Sequence, residues 1–254
     1  MESSTSSPNA LGSLFSKAYV SYSTITVPPA LIPENADDAY AIQHFIIDQC
    51  EARIDGWKVG SKSADGQIHC SPLPHQGIYK PGAILDRENY PVLGIELEMF
   101  FSFNRHFMPG TAEISEQEIR QSIGAMGASF EIVSSRIAGW PKAPQLAMLA
   151  DLQNHGALIV GEQIAYRADF PFLNPIAHLA IDGKDIFKGT GANPAGDPHR
   201  LLCWLVNHCR QRGVAIPAGT VITTGSYTGM HFPAQACRVA ASIAGLPPID
   251  FELR

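Results

Sequence analysis

The sequence predicts an α+β fold in which strands outnumber helices and no regular β/α alternation appears. Three observations carry that expectation. The 254 residues are 45% hydrophobic and 17% charged, enough to bury a substantial core as one large or two small domains. The 22 glycines and 19 prolines exclude a coiled coil or helical array and demand many turns. Short apolar segments with β-branched and aromatic residues recur along the chain, whereas clear helical stripes are few.

The element order can be read directly. Residues 1–9 are almost all Ser, Thr, Pro and Asn and read as a disordered tail, with the folded domain running from 10 to 254 and a helical portion to about 90. Asp37 and Asp38 suit a helix start, and Ile42, Phe45, Ile46 and Cys50 recur at helical spacing, which predicts a helix over 36–53. GWKVG (56–60) reads as a short strand, and 64–90 as a loop-rich connection. PVLGIELEMFFSF (91–103) is a strand. Ser115 with Glu118 forms a capping-box pattern ahead of a helical stripe at Ile119, Ile123 and Met126. Strands follow at 129–133, 157–160 and 176–181, the last ending on an Asp182-Gly183 hairpin turn. A helix opens at Asp197-Pro198 and stops at Gly213. Strands at 219–224 and 238–243 close the pattern.

Charge and cysteine usage exclude several classes. A net charge of −6 with scattered Lys and Arg argues against nucleic acid or an anionic membrane as partner. No stretch approaches the ~20 apolar residues of a membrane span. Cys50, Cys70, Cys203, Cys209 and Cys237 are odd in number and form no CxxC pair, so a disulfide framework is not expected. The N-terminal residues lack the basic and apolar regions of a secretory signal, and a reducing, cytoplasmic setting is the expectation.

Glu96-Leu97-Glu98 is the most informative tripeptide. Residues two apart on a strand share a face, so two carboxylates converge within an apolar run. An ExE pair alone also fits an edge strand facing solvent. Glu131, inside the apolar SFEIV strand, tips the balance toward a buried cation, and an all-oxygen ligand set suits Mg²⁺ or Mn²⁺ better than Zn²⁺.

Five segments in order, GWKVGSKS (56–63), GIELEMFF (94–101), FEIVSSRI (130–137), GDPHRLLCWLVNHCRQRG (196–213) and GTVITTGSYTG (219–229), resemble the fumarylacetoacetase superfamily. Within it they are most similar to the branch of 2-keto-4-pentenoate hydratases and 4-oxalocrotonate decarboxylases. The resemblance covers about residue 36 onward. It implies a mixed β-roll core in which Glu96, Glu98 and Glu131 hold one Mg²⁺ or Mn²⁺ that chelates a 2-oxo or 2-enol acid and stabilises enolate charge. It places Lys58 near the substrate as an acid/base or charge-neutralising group, and Ser63, Gly225 and Ser226 in contact with the substrate. A turn at 223–226 would meet the substrate carboxylate.

Asp151 matches a branch aspartate, although it continues as Leu152-Gln153-Asn154-His155, which removes an expected hydroxyl and introduces His155 as a possible base. Ser134 and Leu73 stand where the branch has acidic residues, so the metal frame is intact while part of the acid/base set has changed. The resemblance thus implies a metal-dependent lyase that hydrates a 2-oxo-enoic acid. Decarboxylation of an oxalocrotonate-like diacid, C–C hydrolysis of an acylpyruvate, and a non-catalytic partner subunit are the alternatives. It also implies a homo-oligomer of at least two chains.

Overall fold

The computed structural model describes residues 7–254, the first of which open a helix. In chain order the elements are α1 (Ser7–Ser21), α2 (Ala36–Gln49), β1 (Ile54–Ser61), β2 (Ile68–Pro74), β3 (Ile78–Tyr79), β4 (Ala83–Leu85) and β5 (Gly94–Phe103). There follow α3 (Glu116–Gln121), β6 (Ile123–Val133), α4 (Gln145–Ala150), β7 (His155–Val160), β8 (Ile164–Ala165), β9 (Ile176–Ile181) and β10 (Lys184–Thr190). The last are α5 (Pro198–Gln211), β11 (Val221–His231), β12 (Cys237–Ile243) and β13 (Ile249–Leu253).

Local chemistry sets the boundaries. Asn35 caps α2 by accepting from the Asp38 amide at 2.9 Å, and Glu51 at φ 48 ends it. Asp197 caps α5 by accepting from the His199 amide, Pro198 fills the first turn, and Gly213 at φ 78 closes it. Asp182 and Gly183, both at positive φ, form the two-residue turn between β9 and β10.

The strands form two mixed sheets. The larger runs β2-β1-β11-β5-β6-β7-β3, with β8 pairing to β6; the smaller runs β10-β9-β12-β13-β4. One apolar cluster joins them: Leu11 and Phe15 of α1, Ile42 and Ile46 of α2, Leu97 and Phe101 of β5, Phe130 of β6 and Phe251 of β13 are all buried within it. The mixture of parallel and antiparallel pairs without βα alternation is the predicted α+β arrangement.

Four expectations change. Residues 7–9 of the supposed tail start α1, and residues 1–6 lie outside the described residues. The first predicted helix stops at Gln49 instead of 53. The loop-rich stretch holds β2, whose IHCSPLP sequence hides a strand behind two prolines; these sit at its end, across from Trp57 and Ile54. The stripe at Ile119, Ile123 and Met126 is not one helix. Ser115 does cap α3, but the helix is six residues long, and Ile123 and Met126 belong to β6, where eleven residues pair with β5.

Candidate metal centre and substrate cavity

Pairing between β5 and β6 builds the acidic cluster. Glu96 stands directly opposite Glu131 in the antiparallel register, and Glu98 lies two residues on, opposite Ser129. Directly opposed residues share a face, as do residues two apart on a strand. One oxygen from each carboxylate therefore comes within 4.8 Å of the others. Glu98 and Glu131 are buried, at 1% and 2% exposure, and Glu96 is half-buried. On the other side of β5, Ser226 of β11 pairs with Glu98, whose carboxylate accepts from the Thr223 hydroxyl. Thr223 Oγ1 also lies 3.2 Å from Ser129 Oγ, so the β11 hydroxyl that holds this carboxylate is itself tied to β6.

Among the described residues, Lys58 supplies the one compensating charge in contact with the cluster. It enters from β1, beside Thr223 in the parallel β1–β11 register, and its ammonium donates to Glu131 Oε1 and, at 3.0 Å, to the carbonyl of Gln153. That carbonyl is presented by an unusual turn. Leu152, Gln153 and Asn154 all take positive φ, between 45° and 58°, a conformation costly for non-glycine residues. Gln153 Oε1 and Asn154 Oδ1 are buried there with no hydrogen-bond partner among the described residues.

The charges do not balance. Burial, followed by repulsion from Glu131 and against the pull of Lys58, pushes the Glu96 carboxyl up to about 7. Burial, then Glu131 and Glu96, hold Glu98 well above the carboxylate range. Burial and the neighbouring carboxylates thus oppose ionisation of Glu96 and Glu98, with a single lysine facing the cluster. The deficit is two charges, and the donors are all hard carboxylate oxygens. Both properties fit a divalent cation such as Mg²⁺ or Mn²⁺, with Glu96, Glu98 and Glu131 as ligands.

The cluster forms part of the wall of a cavity of about 490 Å³ shared by Lys58, Gln153, Asn193, Gly225 and Ser226. Gly225 sits at φ 92, open to glycine at little cost, and a Cβ there would approach Asn193 Oδ1 to 3.3 Å. Asn193 in turn donates to the Thr224 carbonyl at 2.6 Å and accepts from the Ala195 amide, which pins the turn. The same cavity is lined by His69, whose Nδ1 lies 3.4 Å from the Tyr40 hydroxyl; burial, then Lys62, lower its pKa. Asn193, Gln153 and His69 were not singled out as cavity residues by sequence reasoning. Each is a polar residue in a loop or on β2, and only the positive-φ turn and the tertiary pairing bring it to the wall.

Three sequence candidates lie elsewhere. Asp151 is fully buried but belongs to a separate ion pair: its carboxylate accepts from the Arg136 guanidinium, from the Arg136 amide at 2.8 Å and from the Ser135 hydroxyl. It does not line the cavity, and its oxygens are taken up by Arg136 and Ser135. His155 is also fully buried, with both ring nitrogens unpartnered, and packs against Gly77, where a Cβ would come within 2.8 Å of Nε2. Its pKa is driven well down by burial and by Lys58 and Arg136, and it too is absent from the cavity wall. Ser63 is exposed and donates to Asp65 at 2.9 Å, while Ser61 and Lys62 of the same stretch line the cavity. Of the altered branch positions, Leu73 is fully buried in β2 and Ser134 is buried after β6, neither at the cavity.

No model of a protein family matches the chain. Among curated proteins it is 29% identical over 221 residues to a 2-keto-4-pentenoate hydratase of Burkholderia vietnamiensis, covering 82% of each chain. Its fold superposes on a 4-oxalocrotonate decarboxylase from Pseudomonas putida G7, solved with magnesium and adipate, with a TM-score of 0.85 at 21% identity over 97% of each chain. The likeness extends to a fumarylacetoacetate hydrolase of Exiguobacterium antarcticum, with a TM-score of 0.61 at 14% identity over 80% of this chain and 76% of that one.

Proposed function

We propose, for a chain that is kin to the 2-keto-4-pentenoate hydratases and carries the fumarylacetoacetase fold, that it is a divalent-metal-dependent hydratase of a 2-oxo-enoic or 2-hydroxydienoic acid. The observation that carries this reading is the register of β5 against β6, which gathers three carboxylate oxygens within 4.8 Å on the wall of a cavity that also holds Lys58. When bound by Glu96, Glu98 and Glu131, Mg²⁺ or Mn²⁺ would supply Lewis-acid stabilisation of the negative charge that develops on the 2-oxo oxygen.

The side chains of the protein divide the remaining work. Gly225 and Ser226 border the cavity next to the acids and receive the substrate carboxylate, with Asn193 holding their turn in place. Lys58, anchored by Glu131 and the Gln153 carbonyl, holds or moves the proton exchanged with the substrate carbon skeleton. Gln153 lines the cavity beside Lys58 and acts through its backbone carbonyl, which orients the ammonium. Asp151 and His155 act behind this wall as structure.

The five cysteines are free thiols, in keeping with work in the cytoplasm. Among the described residues no helix is long and apolar enough to cross a membrane. Leu173 and Ile176 expose large apolar side chains close together in the chain, as a subunit contact would require, and at least a dimer is proposed on that ground. Sedimentation showing only monomer at micromolar concentration would remove that part of the proposal.

The test is turnover by the purified chain with Mg²⁺ and a 2-hydroxydienoate, followed by product mass. Gain of one water supports hydration, loss of CO₂ shifts the assignment to decarboxylation, and no turnover with any 2-oxo-enoate defeats the reading.

A further inference from the structure

The cavity has a second chamber of different chemistry. About 570 Å³ of space adjoins the polar chamber and shares Lys58, Glu96 and Gln153 with it. Its far walls are apolar: Trp140, Leu146, Met148, Leu149, Val133 and Met230. The apolar wall begins at the acidic cluster itself, because Met230 of β11 is paired with Glu96 of β5. From there it continues onto α4 through Leu146 and Leu149, and onto the turn that carries Trp140, whose ring packs 6.0 Å from Phe232.

The cationic and titratable groups, His69 included, stand at the end that the two chambers share. Among the described residues, the lysines and arginines that line either chamber are Lys58, already paired with Glu131, and Lys62, which is exposed. Gln153 and Asn154 add neutral amides. A carboxylate carried to the Trp140 end would be desolvated against apolar side chains without a counter-charge, which is strongly unfavourable.

Resting on the hydratase reading above, we infer that this chain selects monoacids: the substrate carbon chain beyond the reacting double bond is an uncharged alkyl or aryl tail seated against Trp140, Leu146 and Met230. A diacid with a distal carboxylate is disfavoured by the same wall. Trp140, Leu146 and Met230 are specificity determinants, and they contact the tail rather than the reacting atoms.

The experiment is calorimetric titration of the full chain, with Mg²⁺ present and absent, by pyruvate, 2-oxopentanoate, 2-oxohexanoate, 2-oxooctanoate and 2-oxoadipate. Mg²⁺-dependent binding should tighten by about fourfold for each methylene that enters the second chamber. 2-Oxohexanoate should bind at least about tenfold more tightly than 2-oxoadipate, which has the same carbon count and one more carboxylate. Leu146→Asp should collapse the ratio of 2-oxooctanoate to pyruvate affinity. Trp140→Ala, outside every helix and strand, reads the same ratio if Leu146→Asp folds poorly.

Mg²⁺-dependent pyruvate binding with no dependence on tail length, or with 2-oxoadipate bound as tightly as 2-oxohexanoate, overturns this inference and leaves the hydratase reading standing. Failure of every acid, pyruvate included, to bind with Mg²⁺ overturns both.

Discussion

Two buried charged clusters, one around Arg136 and one around Lys58, both act on His155 and differ in one respect. Around Arg136, charge is balanced one to one: Asp151 takes donors from Arg136 and Ser135, and the remaining guanidinium nitrogens reach the carbonyls of His155 and Asp151 at 2.7 and 2.8 Å. Around Lys58, three carboxylates face one ammonium on the wall of a cavity. A satisfied pair is structure, whereas an unbalanced set on a cavity wall is suited to a cationic ligand. The distinction lies in stoichiometry, because both clusters are deeply buried.

The comparison is most strongly tested at Asp151. Asp151→Asn leaves the buried Arg136 without its counter-charge and should cost about 3–5 kcal/mol of folding stability. Urea unfolding measures this, and an unchanged midpoint would show that the pair is not the structural element described. The corresponding change in the other cluster should have the opposite sign for folding. Glu98→Gln removes one of three repelling acids, so the metal-free protein should unfold at equal or higher urea, while Mg²⁺ affinity and turnover fall by more than about 10²-fold. Even the outer hydrogen-bond partners of metal ligands are worth roughly 10- to 100-fold.

Lys58→Ala should lower kcat by about 10²-fold, the range for one positioned acid/base or electrostatic group, with Mg²⁺ still bound. Lys58→Arg should rescue poorly, since a planar guanidinium is larger and stays protonated. Wild-type turnover in Lys58→Ala would move proton transfer to His69, a titratable side chain on the same wall whose pKa burial lowers.

The smallest effect is in pH dependence. The folded protein holds His155 neutral well below the ordinary histidine pKa of about 6.5, so below that pH the unfolded chain binds a proton that the folded chain does not. The contribution of His155 should therefore be full above pH ~6.5 and decline as pH falls, against the opposite slope that the raised Glu96 and Glu98 carboxyls give the metal-free protein. His44, His69 and His208 are shifted in the same direction and add to the slope. His155→Gln should flatten, without abolishing, the change in urea midpoint between neutral and mildly acidic pH.

The three acids could be found in the sequence because each interrupts an apolar strand, a costly arrangement that has few explanations. Strand register then did the rest, since Glu96 and Glu131 face each other only if β5 and β6 pair as they do. Asp151 and His155 also looked chemical by residue type and position, but nothing local to them reveals that Arg136 fills one and that the other is sealed under Gly77. The apolar second chamber had no sequence signal, because Trp140, Leu146 and Met230 are ordinary half-buried residues from three separate segments. In the fold, capped helices such as α2 and α5 were legible from their first residues, whereas proline-bearing β2 and the strand following α3 depended on long-range pairing.

The central claim is that Glu96, Glu98 and Glu131 hold one divalent cation, and Mn²⁺ titration followed by electron paramagnetic resonance tests it most directly. The free-ion signal should be quenched to one Mn²⁺ per chain in the wild type, with Mg²⁺ competing, and remain largely unquenched in Glu131→Gln. Saturable wild-type stoichiometry retained in Glu131→Gln, or no saturable binding in the wild type, would contradict the account.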